Sequence, residues 1–429
     1  MRDTFSGIRY SARMVREEHL VLPFLIVSLL VSPLSAEGQS NLVADLDPFI
    51  NLPGAYGIKP ADLEAMFEQG NWNHNPYFKW LTSDKSRAIF QRKETENLSV
   101  KLTLLGGSVP IEEAIIDFED GKFLGVTISI FNRGDGGSIT PSDFEERNRA
   151  VGRHIGKQLD VRPVRRTENP AQGLLTAGWI WISARGKAVL EHNPDAPENT
   201  EFFRMRLSRR DAGGAYEAAT KDRAGATVKL SELPRNVVRK PDGSIYVSGV
   251  PMVDQGAKGY CVVASAQRLF EYYGIACDMH QLAQIAESDP NRGTSALVIN
   301  EELGAIDHLF KTRFECLAIR HYSGLVELLD GNLVGDSVPE EDFHKMISKW
   351  IGEGIPLLWA LEIGHFEEDP PLTMQTGGGH MRMIIGYNAT TDRVIFSDSW
   401  GAGHEFKTIN SNDAFRATSG LFLLKPTVR

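Results

Sequence analysis

Apolar positions along this chain change period several times, and the changes mark out its elements. NLSVKLTLLG, EEAIIDFED and KFLGVTISIFN alternate or run apolar over short lengths, and Glu119-Asp120-Gly121 separates the last two. This predicts three strands, with a hairpin turn before the third. From Pro141 to Leu159 the period becomes helical, with Thr140 or Ser142 as cap and Asp143, Glu145 and Glu146 in the first turn. KPADLEAMFEQG reads as an earlier helix ended by Gly70, and LLTAGWIWIS, GKAVLEHN and TEFFRMRLS read as further strands. An antiparallel sheet with helices on one side is the simplest assembly, so residues 37–236 are expected to form a separate α+β domain. Asp211 to Thr227, rich in alanine, glycine and charge, reads as a linker or mobile loop.

The remainder, 237–429, begins helical. Val262, Ala264, Ala266, Leu269, Phe270 and Tyr273 follow Cys261 at helical spacing, and Gly274 supplies a stop. CDMHQLAQIAES and TSALVINEELGAIDHLF continue the helical pattern, and a further helix is expected from about Pro339 to Trp350. IPLLWALEIG then reads as a buried strand, followed by HMRMIIGYN, a turn at Ala389 to Asp392, RVIFSDSWG and a last strand near SGLFLLKP. Helices followed by antiparallel strands predict a second α+β domain, with two lobes and a cleft between them.

A chain of 429 residues has room for both domains. Its net charge of −10 and its lack of a long basic run argue against nucleic acid as a partner. Residues 1–36 stand apart: Arg2, Arg9, Arg13 and Arg16 precede the apolar run LVLPFLIVSLLV and the small-residue stretch SPLSA. These are the parts of a secretory signal peptide, and the run is short for a bilayer span. The mature chain is therefore expected to be exported, to the periplasm, the cell surface or the medium, with no stable membrane span. Export bears on the three cysteines, Cys261, Cys277 and Cys316. Cys277 and Cys316 either form a bridge, leaving Cys261 free, or remain two separate buried thiols.

Cys261 opens a helix, where unpaired backbone N–H groups and the positive end of the helix dipole favour a thiolate. Gln255, six residues earlier, could donate to an oxyanion. His380 opens one strand and Asp398 closes the next, so pairing across the turn would bring imidazole and carboxylate together. His380 would then sit at a rim with little cover. Thiol, imidazole and carboxylate are what nucleophilic acyl transfer needs. Each residue also has a plainer reading: a small buried cysteine, a capping or core histidine, a turn aspartate. The first domain holds no such set; its RGDGG segment reads as a turn, and His154 and His192 lack partners at metal-ligand spacing. No metal or other cofactor is expected.

QGAKGYCVVASA resembles the active-site segment of papain-like cysteine peptidases, GGGHMRMIIGYN resembles their histidine strand, and SDSWG resembles their asparagine segment. The three occur in the family's order, and aspartate in place of asparagine is most similar to the bacteriocin-processing, double-glycine peptidase branch. The resemblance covers about residues 245–429. It implies Cys261 as nucleophile, His380 as base, Asp398 as orienting residue and Gln255 as oxyanion donor. It also implies Gly259, Tyr260 and Gly379 in supporting positions, and Trp400 as a shield over the His–Asp bond. Peptides or proteins would be the substrates. Since most of the family carries asparagine in the third place, Asp398→Asn is expected to keep part of the activity. Three departures stand out: Lys258 where many relatives have a cysteine, Val262 where an aromatic is usual, and Arg382 where an apolar residue is preferred. Arg382 could lower the pKa of His380 or meet a substrate carboxylate. Other thiol acyl-transfer enzymes, such as transglutaminase-like or amidase relatives, remain open, as does an inactive binding protein. The first domain is expected to recruit substrate or a partner and not to plug the cleft.

Overall fold

The computed structural model describes residues 40–67, 77–168, 176–221, 225–256, 259–285, 304–305, 307–321, 324–329, 332–372, 375 and 377–428. The expected signal peptide, Lys258 and most of the expected helix at 294–310 lie outside them. Residues 39–429 form one compact unit. Within it, the halves keep their own sheets, and the whole is α+β.

In the first half, eight strands form an antiparallel sheet in the order Phe78–Trp80, Arg87–Gln91, Glu113–Glu119, Lys122–Asn132, Phe202–Ser208, Gly186–His192, Ala177–Ser183, Val164–Arg166. The turn between Glu119 and Lys122 places Asp120 at φ 51° and Gly121 at φ 68°, the left-handed pair that a tight hairpin requires. The helix Pro141–Leu159 starts on Thr140, whose Oγ1 accepts from the Asp143 N–H at 3.2 Å. Its buried Phe144, Val151, Ile155 and Leu159 pack on one sheet face with Trp181 and Leu190. A smaller sheet pairs Ser40–Asp45 in parallel with Leu98–Leu104.

The second half is built on an eleven-stranded sheet, counted among the described residues. At its centre Gly378–Asn388 lies between Leu357–Ile363 and Arg393–Ser397, antiparallel to both. Outward on one side come Thr418–Pro426 and Thr312–His321, and on the other Lys407–Asn410 and Glu368–Asp369. The helices Cys261–Tyr272 and Glu340–Gly352 pack against the central strand. The first of these stops at Gly274, φ 72°, where a Cβ would collide with Thr227 Oγ1.

The free face of the eight-stranded sheet turns toward the second half. Leu81, Ile89 and Ile115 bury against Met252, and Ala276 packs on the cluster of Ile180, Val189 and Ala219. Arg87 Nη1 reaches Glu271 Oε2 at 2.7 Å, Arg204 pairs with Asp278, and Lys79 pairs with Asp254. Asp211 to Thr227 is not a loose linker in its described part. It forms the short helix Gly214–Ala218, buries Ala212, Tyr216 and Ala219, and bonds Tyr216 to Asp117 Oδ2 at 2.8 Å. Its apolar residues fall at helical spacing, a pattern masked in sequence by the glycines and charges between them. Cys277 and Cys316 are separate thiols, as is Cys261. Cys277 is buried beside Arg204 and Arg206 at the seam between the halves, and Cys316 lies in the strand paired with Thr418–Pro426.

Candidate active site

The helix Cys261–Tyr272 begins at Tyr260, which supplies no side-chain cap, so the first-turn N–H groups receive none from it. Two side chains fix the helix in place. Ser265 Oγ donates to the Met381 carbonyl at 3.3 Å, next in chain to His380. Arg268, 1% exposed, donates to Pro251 O at 2.7 Å, Asp398 O at 3.0 Å and Ser397 Oγ at 2.6 Å. The helix N-terminus therefore sits in fixed relation to His380 and Asp398, with Cys261 half-buried at its first position.

His380 lies opposite Leu361 in the sheet, and Asp398 follows directly on Ser397, the last residue of the neighbouring strand. His380 Nε2 meets Asp398 Oδ1 at 2.7 Å. The imidazole is not at an open rim as expected: it is 5% exposed, because Trp400 stacks on it with centroids 4.6 Å apart and planes at 17°. That ring screens the pair from water and leaves the Coulomb attraction strong.

Arg382 also departs from the expectation. It is 1% exposed and does not reach into a cleft; Nε donates to Asp398 Oδ2 at 2.8 Å. Its other two nitrogens donate to Glu368 at 2.6 and 3.2 Å, and Lys407 Nζ pairs with the same glutamate. The guanidinium lies over the Phe396 ring at 4.6 Å. Charges alternate through the sheet from Asp398 to Arg382, Glu368 and Lys407, each paired, as burial demands.

Burial alone would lower the His380 pKa. The Asp398 carboxylate, and then the Cys261 thiol, outweigh it and raise it to about 9. The lowering expected from Arg382 does not prevail: the net shift is upward, and the guanidinium is engaged by two carboxylates. Burial would raise the Asp398 pKa, but His380, Arg382 and the Ser399 N–H hold it at about 2. Nδ1 of His380 has no hydrogen bond of ordinary length, although the thiol is near enough to act on the ring. Such bonds are commonly slack before substrate arrives.

Gln255 is tied to the same strand end. Its backbone N–H donates to Ser399 O at 3.0 Å, and its Oε1 accepts from Ser399 Oγ at 2.7 Å, which commits the oxygen end of the amide and leaves the nitrogen as donor end. Gly256 N–H is held by Asp254 Oδ1 at 2.9 Å, and Asp254 bridges to Trp400. Of the supporting positions, Gly259 precedes the helix, Tyr260 is buried edge-on to His280, and Gly379 is an exposed strand residue beside Glu362. Arg268, Ser399, Glu368 and Lys407 escaped the sequence analysis. The last two approach Arg382 only through strand pairings that no local pattern specifies. Among the described residues no group of three or more His, Cys, Asp or Glu is placed to hold a metal, and no helix is long and apolar enough to cross a membrane. A cavity of about 920 Å³ lies at the seam, lined by Arg87, Asp117, Arg206 and Glu271 among others; it is lined by neither Cys261 nor His380.

Residues 247–420 match the model of the Peptidase_C39 like family. Among solved structures, xylellain, a cysteine protease from Xylella fastidiosa, is similar at 12% identity and a TM-score of 0.27, covering 48% of this chain and 92% of that one. No curated protein matches the chain.

Proposed function

We propose that the chain is an exported cysteine peptidase that cleaves peptide bonds through Cys261, His380 and Asp398, with Gln255 as oxyanion donor. One observation carries this reading: an imidazole fixed at Nε2 by a buried carboxylate, with a half-buried helix-terminal thiol among the groups that raise its pKa. The family match over 247–420 supports the reaction class.

In this reading His380 Nδ1 takes the Cys261 proton, and Sγ attacks the scissile carbonyl carbon. The carbonyl electron pair moves to oxygen, where the Gln255 amide N–H and the Cys261 backbone N–H donate to it. Collapse expels the amine, which leaves with the proton from His380. Water, deprotonated by His380, then attacks the thioester and releases the acid and the free thiol. Asp398 holds the ring throughout, so that Nδ1 faces the sulfur. The imidazolium formed in the first step is the state that Asp398 favours. The test is incubation of the full chain, and of Cys261→Ala, with an unfolded protein substrate, reading new N-termini by mass spectrometry. Cleavage by the parent and none by the variant is expected; equal cleavage by both would overturn the assignment. Export is tested by the N-terminal sequence of the secreted protein, which should lack the first 36 residues.

A further inference from the structure

Both oxygens of Asp398 accept hydrogen bonds. Oδ1 takes His380 Nε2 at 2.7 Å and the Ser399 N–H at 3.0 Å, and Oδ2 takes Arg382 Nε at 2.8 Å. A side chain here must accept at both ends. Arg382 cannot adapt to anything else: a guanidinium is always a donor. Nor can it swing away, since Glu368 binds its other two nitrogens, Phe396 lies under it, and it is 1% exposed.

We propose that Arg382 is a positioning residue that makes a carboxylate obligatory at 398, and so fixes the His380 tautomer able to take a proton from Cys261. This rests on the peptidase reading above. Asparagine has one accepting end. If that end stays with His380, its NH2 abuts the Arg382 N–H, donor against donor in a buried site. If it turns to Arg382, its NH2 faces His380 Nε2 and the Ser399 N–H. The ring must then offer a lone pair at Nε2 and carry its proton on Nδ1, and an Nδ1 already protonated cannot deprotonate Cys261. The resemblance to enzymes that use asparagine therefore does not carry over to this position, because this chain has an arginine two residues beyond the histidine.

The experiment is a cycle of Asp398→Asn, Arg382→Gln and the double variant, read by peptide turnover and by 15N NMR of histidine-labelled full chain. Tautomers are read above the titration of the ring. In the double variant the introduced glutamine can accept from the introduced asparagine and donate to Glu368, and the buried charge stays balanced. Asp398→Asn alone should lose at least about a hundredfold in turnover, as expected when a catalytic imidazole is held in the wrong tautomer. Its ring should carry the proton on Nδ1. The double variant should return the proton to Nε2 and turn over within about tenfold of Arg382→Gln. Asp398→Asn within about tenfold of the parent, or one that keeps its proton on Nε2, would overturn the proposal. If Asp398→Asn does not fold, the comparison inside the Arg382→Gln background decides: a loss beyond about tenfold on adding Asp398→Asn there refutes it. The tautomer arm needs no turnover. A chain without peptidase activity would therefore sink the peptidase reading, while the position of the ring proton would still support or refute the role of Arg382.

Discussion

Asp398 and Glu191 are both buried carboxylates braced by arginine, and each has a cysteine nearby, yet their surroundings differ in kind. Glu191 takes Arg204 at 3.0 Å, Arg166 at 3.3 Å and Arg206 at 3.6 Å, and Arg204 closes onto Asp278 across the seam. Burial would raise its pKa, but the three cations hold it below the ordinary glutamate value. Every partner there is a permanent cation. Cys277, next to Arg204 and Arg206, is fully buried, and burial pushes its thiol well up in spite of them. At the other centre the carboxylate meets an imidazole, a group that can gain and lose a proton, and the thiol is half-buried. Buried charge alone makes a tie between two sheets. A nucleophile needs a neighbour able to take its proton, and a route for substrate to reach it.

This contrast can be broken at either end. Glu191→Gln removes the negative charge that pairs three buried arginines and is expected to cost about 3–5 kcal/mol of stability, the range for breaking a buried pair. Denaturant unfolding would measure it, and turnover per folded molecule should be unchanged. A stable variant with lost turnover would make Glu191 part of the chemistry. Gln255→Ala should do the reverse, lowering kcat by about a hundredfold or more, the usual cost of an oxyanion donor. Its unfolding should stay close to that of the parent. Loss of stability without loss of kcat would reduce Gln255 to a tether for Ser399.

Smaller effects follow from pH. His380 is raised in the folded chain from 6.5 to about 9, so its contribution to stability is full below about 6.5 and is lost as pH rises through about 9. Asp398 is lowered from 3.8 to about 2, so its contribution is present above about 4 and is lost as pH falls through about 2. Turnover should fall about tenfold per unit above pH 9, as the imidazolium that gives its proton to the leaving amine disappears. An alkaline limb near 6.5 would mean that Asp398 does not act on the ring.

Much of the second half was legible in sequence, because its elements announce themselves locally. The helix at Cys261 and the strands at 357–363, 378–388 and 418–426 lie close to their patterns. His380 and Asp398 could be brought together from one turn, since a hairpin has only one neighbour to offer. Arg382 was visible but misjudged: strand alternation set it on the histidine's face, yet not which carboxylate waited there. Glu368 arrives from a two-residue strand and Lys407 from a short one. Their meeting depends on register across the sheet, which no local period encodes. The ties across the seam were hidden for the same reason, being contacts between charges far apart in sequence.

Competition among the three thiols tests the central claim most directly. The full chain at neutral pH is treated with a limiting amount of an electrophilic peptidase probe, and the modified residue is identified by mass spectrometry in the parent and in His380→Ala. Modification of Cys261 well ahead of Cys277 and Cys316, lost on removal of the imidazole, is the expected result. Labelling of all three at similar rates, or labelling of Cys261 that His380→Ala leaves untouched, would contradict a nucleophile activated by His380.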